Sequence, residues 1–342
     1  MDLHKNLIRR AITIAVDKAI ENMQSHPERS SRNLLDLGLF FTKSSRLRSF
    51  YEGAKKILAN PKNSYHQLIK RIIETVDLET VKTVSINFGF HGLNYGTKII
   101  RKMQENMDHI LPWLVAFRIC EYDSEFLNQI NSHITDGQEL GIYSYLFIVE
   151  NPEAIPEITK IVKKHRDPAF MLVTSPQAIT EETATLLSKL KNLAISIMLD
   201  ENLANKEVSR TAFQQLSKFK CLFGFHIQFT PNNAAIVSSG DFLRTMISHG
   251  CAYGSYLTNP EEEEHNKKLQ NFINSERYGH GQSILVFDWL WDTEYVGQAI
   301  LPGSDYLILN SADEASLGHK SETQQVNGSL TEVIKTIMPR KI

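Results

Sequence analysis

Seven polar side chains stand where an α/β protein collects its chemistry. Arg118, Glu150, Asn151, Asp200, His226, Gln228 and Asp288 each close or directly follow a short apolar run. Such runs read as strands, and the carboxyl ends of parallel strands are where barrels assemble binding and catalytic sites. Arg118 offers a guanidinium to a carboxylate, and Glu150 or Asp200 becomes a general base if desolvation raises its pKa. His226 alternates with Phe225 and Ile227, so it shares an expected inward face with Gln228. It is the best ligand-binding candidate among the twelve histidines, although a barrel-lining histidine is commonly satisfied by a polar neighbour. No histidine has HExxH pairing, no Gly-x-Ser-x-Gly occurs and no Cys–His pair is visible, so catalytic residues and metal ligands are not assigned.

Other groupings have plainer readings. The segment Asp288-Trp289-Leu290-Trp291-Asp292-Thr293-Glu294-Tyr295 could stack and charge-pair with a cationic or sugar ligand. It also reads as a strand end whose aromatics pack a C-terminal extension against the body. Gly279-His280-Gly281-Gln282 is a loop over a site or a turn before a strand. Asn87-Phe88-Gly89-Phe90-His91-Gly92 lacks the spacing of a phosphate loop. The acidic run 261–264 places negative charge in the first turn of a helix.

Cys120, Cys221 and Cys251 lie far apart and form no CxxC. Unpaired, widely spaced thiols fit a reducing compartment, and the cytoplasm is the expected location. Thirty-seven basic and 39 acidic residues give a formal charge of -2. That balance offers no broad cationic field for nucleic acid or anionic lipid. The N-terminus carries Leu7, Ile8, Ala11, Ile12, Ile14, Ala15 and Ala19 between charges, the period of an amphipathic helix packed on the protein's own body or on a partner. It lacks the apolar core of a secretory signal, and no window reaches the roughly 18 apolar residues of a membrane span.

The elements that position the seven candidates follow from periodicity. Helices are expected over the N-terminal stretch, 33–41, 45–59, 64–76 and 96–105, with a break at Asn60-Pro61-Lys62-Asn63. Strands are expected at 114–119, 143–149, 169–173, 193–199, 222–229, 252–257 and 284–287, with helices between them. That alternation calls for a parallel sheet, and polar residues on one face of several strands favour a barrel over an open sheet. The chain divides into a helical N-terminal extension at 1–110, a barrel at 111–282 and a C-terminal region at 283–342.

Asn87-Phe88-Gly89, Gly96-Thr97-Lys98, Pro112-Trp113 and the runs QELGIYSYLFIVENPEAIPEI and EYVGQAILPGSDYLILNSADE stand in a characteristic order. Together they resemble a clade of the radical S-adenosylmethionine (SAM) superfamily with a helical N-terminal extension and a C-terminal auxiliary-cluster extension. The resemblance covers most of 60–316 and implies an α/β fold: a partial (β/α)6-type TIM-like barrel of the radical SAM kind. The 284–287 and 306–310 strands are candidates to extend it.

The resemblance also implies a CxxxCxxC loop after the first strand, whose thiolates would hold a 4Fe–4S cluster. The sequence there runs Arg118-Ile119-Cys120-Glu121-Tyr122, with one cysteine and no loop. The family's Gly-Gly-Glu-Pro is replaced by Val149-Glu150-Asn151-Pro152, and its Thr-Asn-Gly turn by Thr174-Ser175-Pro176. Two auxiliary-cluster positions read Ala299 and Ser316. A degenerate member lacking all cluster cysteines is therefore expected: a pseudoenzyme with no cluster as cofactor, no radical SAM chemistry and SAM binding disfavoured. Its expected role is binding a peptide, a small metabolite or an active radical SAM partner. The alternative is a repurposed, cluster-free enzyme using the polar barrel mouth.

Overall fold

The computed structural model describes residues 2–23, 26–42, 45–203, 206–279, 281–311, 313–318 and 322–340. His280, and with it part of the Gly279–Gln282 loop, lies outside them, as do the side chains of Leu7 and Ile8. Helices come first: α1 (Asp2–Met23), α2 (Pro27–Phe41), α3 (Ser45–Ala59), α4 (Tyr65–Thr75), α5 (Leu78–Ser85), a π-helical segment (Ile86–Gly96) and α6 (Thr97–Gln104). Strand and helix then alternate through β1 (Leu114–Ile119), α7 (Ser124–Leu140), β2 (Ser144–Val149), α8 (Ile155–Lys164), β3 (Ala169–Thr174), α9 (Glu181–Ser188), β4 (Leu193–Met198) and α10 (Lys206–Lys218). The series continues with β5 (Phe223–Gln228), α11 (Ala234–Val237), α12 (Gly240–Ser248), β6 (Tyr253–Leu257), α13 (Glu263–Tyr278), β7 (Leu285–Asp288) and α14 (Trp289–Ile300). Then come β8 (Tyr306–Asn310), β9 (Glu314–Leu317), β10 (Gln324–Gln325) and α15 (Leu330–Ile337).

The described strands form one sheet in the order β10-β9-β8-β1-β2-β3-β4-β5-β6-β7. β1 to β7 are parallel neighbours, β8 joins β1 in parallel, and β9 and β10 add antiparallel strands beyond it. The expected α/β parallel architecture is present, extended by β7 at one edge and β8 on the other side of β1. β7 and β8 do not pair with each other. Trp289 and Tyr306 meet across that gap, ring centroids 6.0 Å apart and nearly perpendicular, a favourable edge-to-face arrangement.

Strand alternation sorts the side chains. Val115, Phe117 and Ile119 of β1 and Tyr145, Phe147 and Val149 of β2 are buried on the helix-covered face. Each such side chain contributes about 1.5–3 kcal/mol by leaving water. The opposite face carries Leu114, Ala116 and Arg118 on β1 and Gly224, His226 and Gln228 on β5, and it lines the inside of the curved sheet.

The amino end of the sheet is sealed by the N-terminal helices. Arg71 of α4 donates to the carbonyls of Cys251 (2.9 Å) and Ser283 (2.8 Å), at the starts of β6 and β7. Asn87 in the π-helical segment donates to Arg166 (2.7 Å) and Pro168 (2.9 Å), before β3. Behind these, Ile12, Val16, Ile20 and Met23 of α1 form a buried stripe with Ile73, Ile86 and Phe90. That stripe repeats every three or four residues, so α1 packs on the protein's own body.

α5 and the π-helical segment have no counterpart in the sequence reading. The buried polar side chains of Asn87, His91 and Asn94 and the glycines between them disguise the helical period. The 288–295 segment is corrected in part: Asp288 ends β7 and caps the next helix, and from Trp289 the chain is helix α14.

Candidate functional site

The carboxyl ends of β1, β2, β4 and β5 bring together some of the seven candidates and separate others. Arg118 Nε and Nη2 both donate to Glu150 Oε1 at 2.8 Å, across the paired strands β1 and β2. The carboxylate holds the guanidinium pKa above its ordinary value, with burial opposing. Arg118 and Glu150 therefore satisfy each other and are not separate roles. Their side chains are 54% and 41% exposed, so the pair is worth no more than about 1 kcal/mol.

Asn151 caps the turn Pro152–Ala154, its side chain accepting the Glu153 amide at 3.0 Å. Asp288 is fully buried and caps α14, accepting from Leu290 N (3.0 Å), Trp291 N (3.3 Å) and Thr258 Oγ1 (3.1 Å). Burial raises its pKa against the pull of those donors. Asp200 accepts the Asn202 amide at 2.9 Å and lines a separate cavity of about 390 Å³ between α10 and α12, on the outer side of the sheet. Asn151, Asp288 and Asp200 thus hold local structure.

His226 and Gln228 remain on the inner face, Gln228 half-buried near the mouth and His226 7% exposed below it. Burial lowers the His226 pKa to about 4, so its imidazole is neutral near pH 7. The Trp289 ring stands edge-on to it at 6.1 Å. Phe287 and Tyr253 continue the aromatic wall, with Tyr253 to Phe287 and Phe287 to Trp289 separated by 6.2 and 6.3 Å. Gly224 makes room for this wall, since a Cβ there would meet Tyr253 Cδ2 at 2.6 Å.

Two serines lie on the same face, of which Ser255 has no signal in the sequence. Ser255 lies in register beside His226, and Ser196 lies beside Gly224, whose other neighbour is Tyr253. Both serines are fully buried. Ser196 Oγ, Ser255 Oγ and His226 Nδ1 make no hydrogen bond, a state that costs about 1–3 kcal/mol for each buried polar group. Ser196 on a face shared with Asp200 was visible in the alternation of β4. Nothing in the sequence marks its hydroxyl as unpartnered.

The fit of an iron–sulfur cluster to this mouth can be tested on its thiols. β1 ends at Ile119 and α7 begins at Ser124, and Asp123 closes the connection by accepting from Glu125 N (2.8 Å) and Phe126 N (3.2 Å). Cys120 is the thiol in that short turn, exposed beside Arg118 and Glu150, with its pKa raised by desolvation and by Glu150. Cys221 and Cys251 are buried just before β5 and β6, at the other end of the sheet. Burial pushes the Cys221 thiol up to about 12 and Cys251 higher, so both stay protonated. Cluster ligation needs several converging thiolates. These residues do not fit one.

No protein-family model matches the chain, and no curated protein matches it. Among solved structures, SuiB of Streptococcus suis is similar with a TM-score of 0.47 and 11% identity, over 67% of this chain and 66% of that one. SuiB bound to S-adenosylmethionine gives a TM-score of 0.46 and 10% identity over the same shares. Native anSMEcpe with bound AdoMet is similar with a TM-score of 0.41 and 13% identity, over 59% of this chain and 73% of that one. SuiB and anSMEcpe are radical SAM enzymes. The chain spans about two thirds of the length of SuiB. A tryptophan synthase A-subunit from the hyperthermophile Pyrococcus furiosus is also similar, with a TM-score of 0.36 and 12% identity over 58% of this chain and 86% of that one. Likeness at this level is one of coarse α/β arrangement.

Proposed function

We propose that this chain is a radical SAM-like pseudoenzyme: a scaffold that works without an iron–sulfur cluster and binds at its carboxyl-end mouth. One observation carries this reading. Cys120 stands in a capped turn of residues 120–123, while Cys221 and Cys251 are buried and protonated at the opposite end of the sheet. The expected occupants of the mouth are a small metabolite, a peptide or an active radical SAM partner. Three unpaired thiols support a reducing compartment such as the cytoplasm. Binding of intact SAM is disfavoured, because Val149 and Glu150 carry side chains where the family pattern has glycines, and the Glu150 and Asn151 amides already donate to the Ile119 carbonyl.

The alternative, a cluster-free enzyme, needs a free base or cation at the mouth. The mutual pairing of Arg118 and Glu150 and the capping role of Asp288 weigh against it. An anaerobic assay with reductant and SAM is expected to yield no 5′-deoxyadenosine above the protein-free background. In calorimetry, a SAM dissociation constant tighter than roughly 10 μM, or about -7 kcal/mol, would overturn the exclusion of SAM.

A further inference from the structure

The cavity of about 390 Å³ between α10 and α12 lies on the helix-covered side of the sheet, beyond the end of β4. Its floor is apolar because Leu199 continues the buried alternation of Ile195 and Ile197 past the last residue of the strand. Phe213 of α10 and Phe242 and Met246 of α12, all buried, form its walls, with Leu203 and Ile236 at the rim. α10 packs on α9 and on the Pro176–Ala178 turn rather than on α12, which leaves the space between them unfilled. A cavity of this size falls within the range of about 300–1,000 Å³ that small-molecule sites occupy, and its apolar lining is typical of them.

The rim is built with some strain. Leu203 is held at φ 56°, in the left-handed region that bulky side chains rarely adopt, with its amide donating to the Asp200 carbonyl at 2.9 Å. Such a conformation persists only where its surroundings over-determine it, and residues of this kind cluster at ligand clamps. Most of the rim charge is paired: Arg210 with Glu207 at 2.5 Å, and Asp241 with Arg244. Asp200 and Lys206 then have opposite signs. His249 is neutral at pH 7, because burial and the nearby Arg210 lower its pKa. The Ser239 and Thr245 hydroxyls donate to the Ile236 and Asp241 carbonyls at 2.6 and 2.9 Å. An ionic ligand would therefore lose its hydration without gaining an unopposed counter-charge.

The walls favour rings over alkyl chains. His249 and Phe213 stack nearly parallel, their centroids 5.7 Å apart, and Phe213 stacks in turn on Phe223 at 5.9 Å. A further flat ring extends such a stack, and the Met246 thioether packs well against aromatic edges. We propose that this cavity binds an uncharged, flat aromatic molecule of two fused rings, packed against Phe213, Phe242 and Met246 at a site separate from the carboxyl-end mouth.

The test titrates the full chain at pH 7 with 2-naphthol, 2-naphthoate and 1-octanol, followed by calorimetry and by the methyl NMR signals of the methionines. 2-Naphthol is expected to bind with a dissociation constant below about 1 mM, and at least about fivefold more tightly than either the anionic or the alkyl probe. The Met246 methyl signal, assigned by its loss in Met246→Leu, should shift as 2-naphthol is added. Thr245→Trp, on the exposed side of α12, fills the cavity and should weaken 2-naphthol about tenfold or more without lowering Tm. Val208→Trp, on α10 but outside the cavity, should leave the affinity within about twofold. Equal binding of 2-naphthoate or 1-octanol, an unmoved Met246 methyl, or 2-naphthol affinity that survives in folded Thr245→Trp overturns the inference. If that variant does not fold, the Met246 methyl shift in the unsubstituted chain decides.

Discussion

The two ends of the curved sheet are both rich in polar side chains, and the buried ones at each end differ in what they meet. At the amino end, the side chains that bridge the N-terminal helices to the sheet terminate on main-chain carbonyls: Arg71 on Cys251 and Ser283, Asn87 on Arg166 and Pro168, Ser64 on Gln282. At the carboxyl end, Ser196, His226 and Ser255 are as deeply buried and have atoms with no partner. In a parallel α/β protein the first pattern fastens the fold, and the second leaves hydrogen-bonding capacity for something else. Unpartnered buried atoms occur at the amino end too, Arg71 Nε and Ser144 Oγ among them, so the carboxyl end differs in gathering its own on one face of β4, β5 and β6.

That contrast breaks first, and hardest, at Arg277. Its guanidinium donates to Asp292 Oδ1 and Oδ2 at 2.9 and 2.5 Å and to the Val286 carbonyl, with both side chains under 20% exposed. Arg277→Ala leaves Asp292 buried without its cation and is expected to cost about 3–5 kcal/mol in urea unfolding. A loss below about 1 kcal/mol would mean that this ion pair is not part of the fastening.

His226 gives the mouth its own signature in pH. The folded-state pKa of about 4 lies below the unfolded value of 6.5, so between them the unfolded chain binds the extra proton. Stability from this group is fully present above pH 6.5 and is lost as the pH falls toward 4, by about 3 kcal/mol in all. His226→Gln should flatten that part of the stability–pH curve, while an unchanged slope would mean that the imidazole is not desolvated.

Arg71→Ala should cost about 2–3 kcal/mol, because two carbonyls at the strand starts lose a charged donor. Arg118→Ala has the smallest expected effect on stability, at most about 1 kcal/mol, since the pair with Glu150 is half exposed. A larger loss would move the mouth into the fastening class and blur the contrast.

Much of this arrangement is legible in the residues. Period-two alternation in Leu193–Met198 and Phe223–Gln228 identifies the inner face from the residues alone and puts Ser196, His226 and Gln228 on it. Where the reading stopped has physical causes. The pairing of Arg118 with Glu150 depends on the register of β1 and β2, which local pattern does not specify. Asp288 looked like a ligand-binding acid because an N-cap aspartate and a strand-end acid have the same sequence context, a carboxylate after an apolar run. Ser255 escaped notice because β6 carries tyrosines and glycines in place of a clean hydrophobic alternation, and its partnerless state exists only in three dimensions. The π-helical segment buries the polar residues Asn87, His91 and Asn94, so it has no apolar stripe to read.

The central claim, a radical SAM-like scaffold that works without a cluster, is tested most directly by iron and acid-labile sulfide per chain after anaerobic reconstitution of the full-length protein. The account predicts no stoichiometric iron or sulfide, with the same background in Cys120→Ala. About four irons and four sulfides per chain, lost in Cys120→Ala, would contradict it.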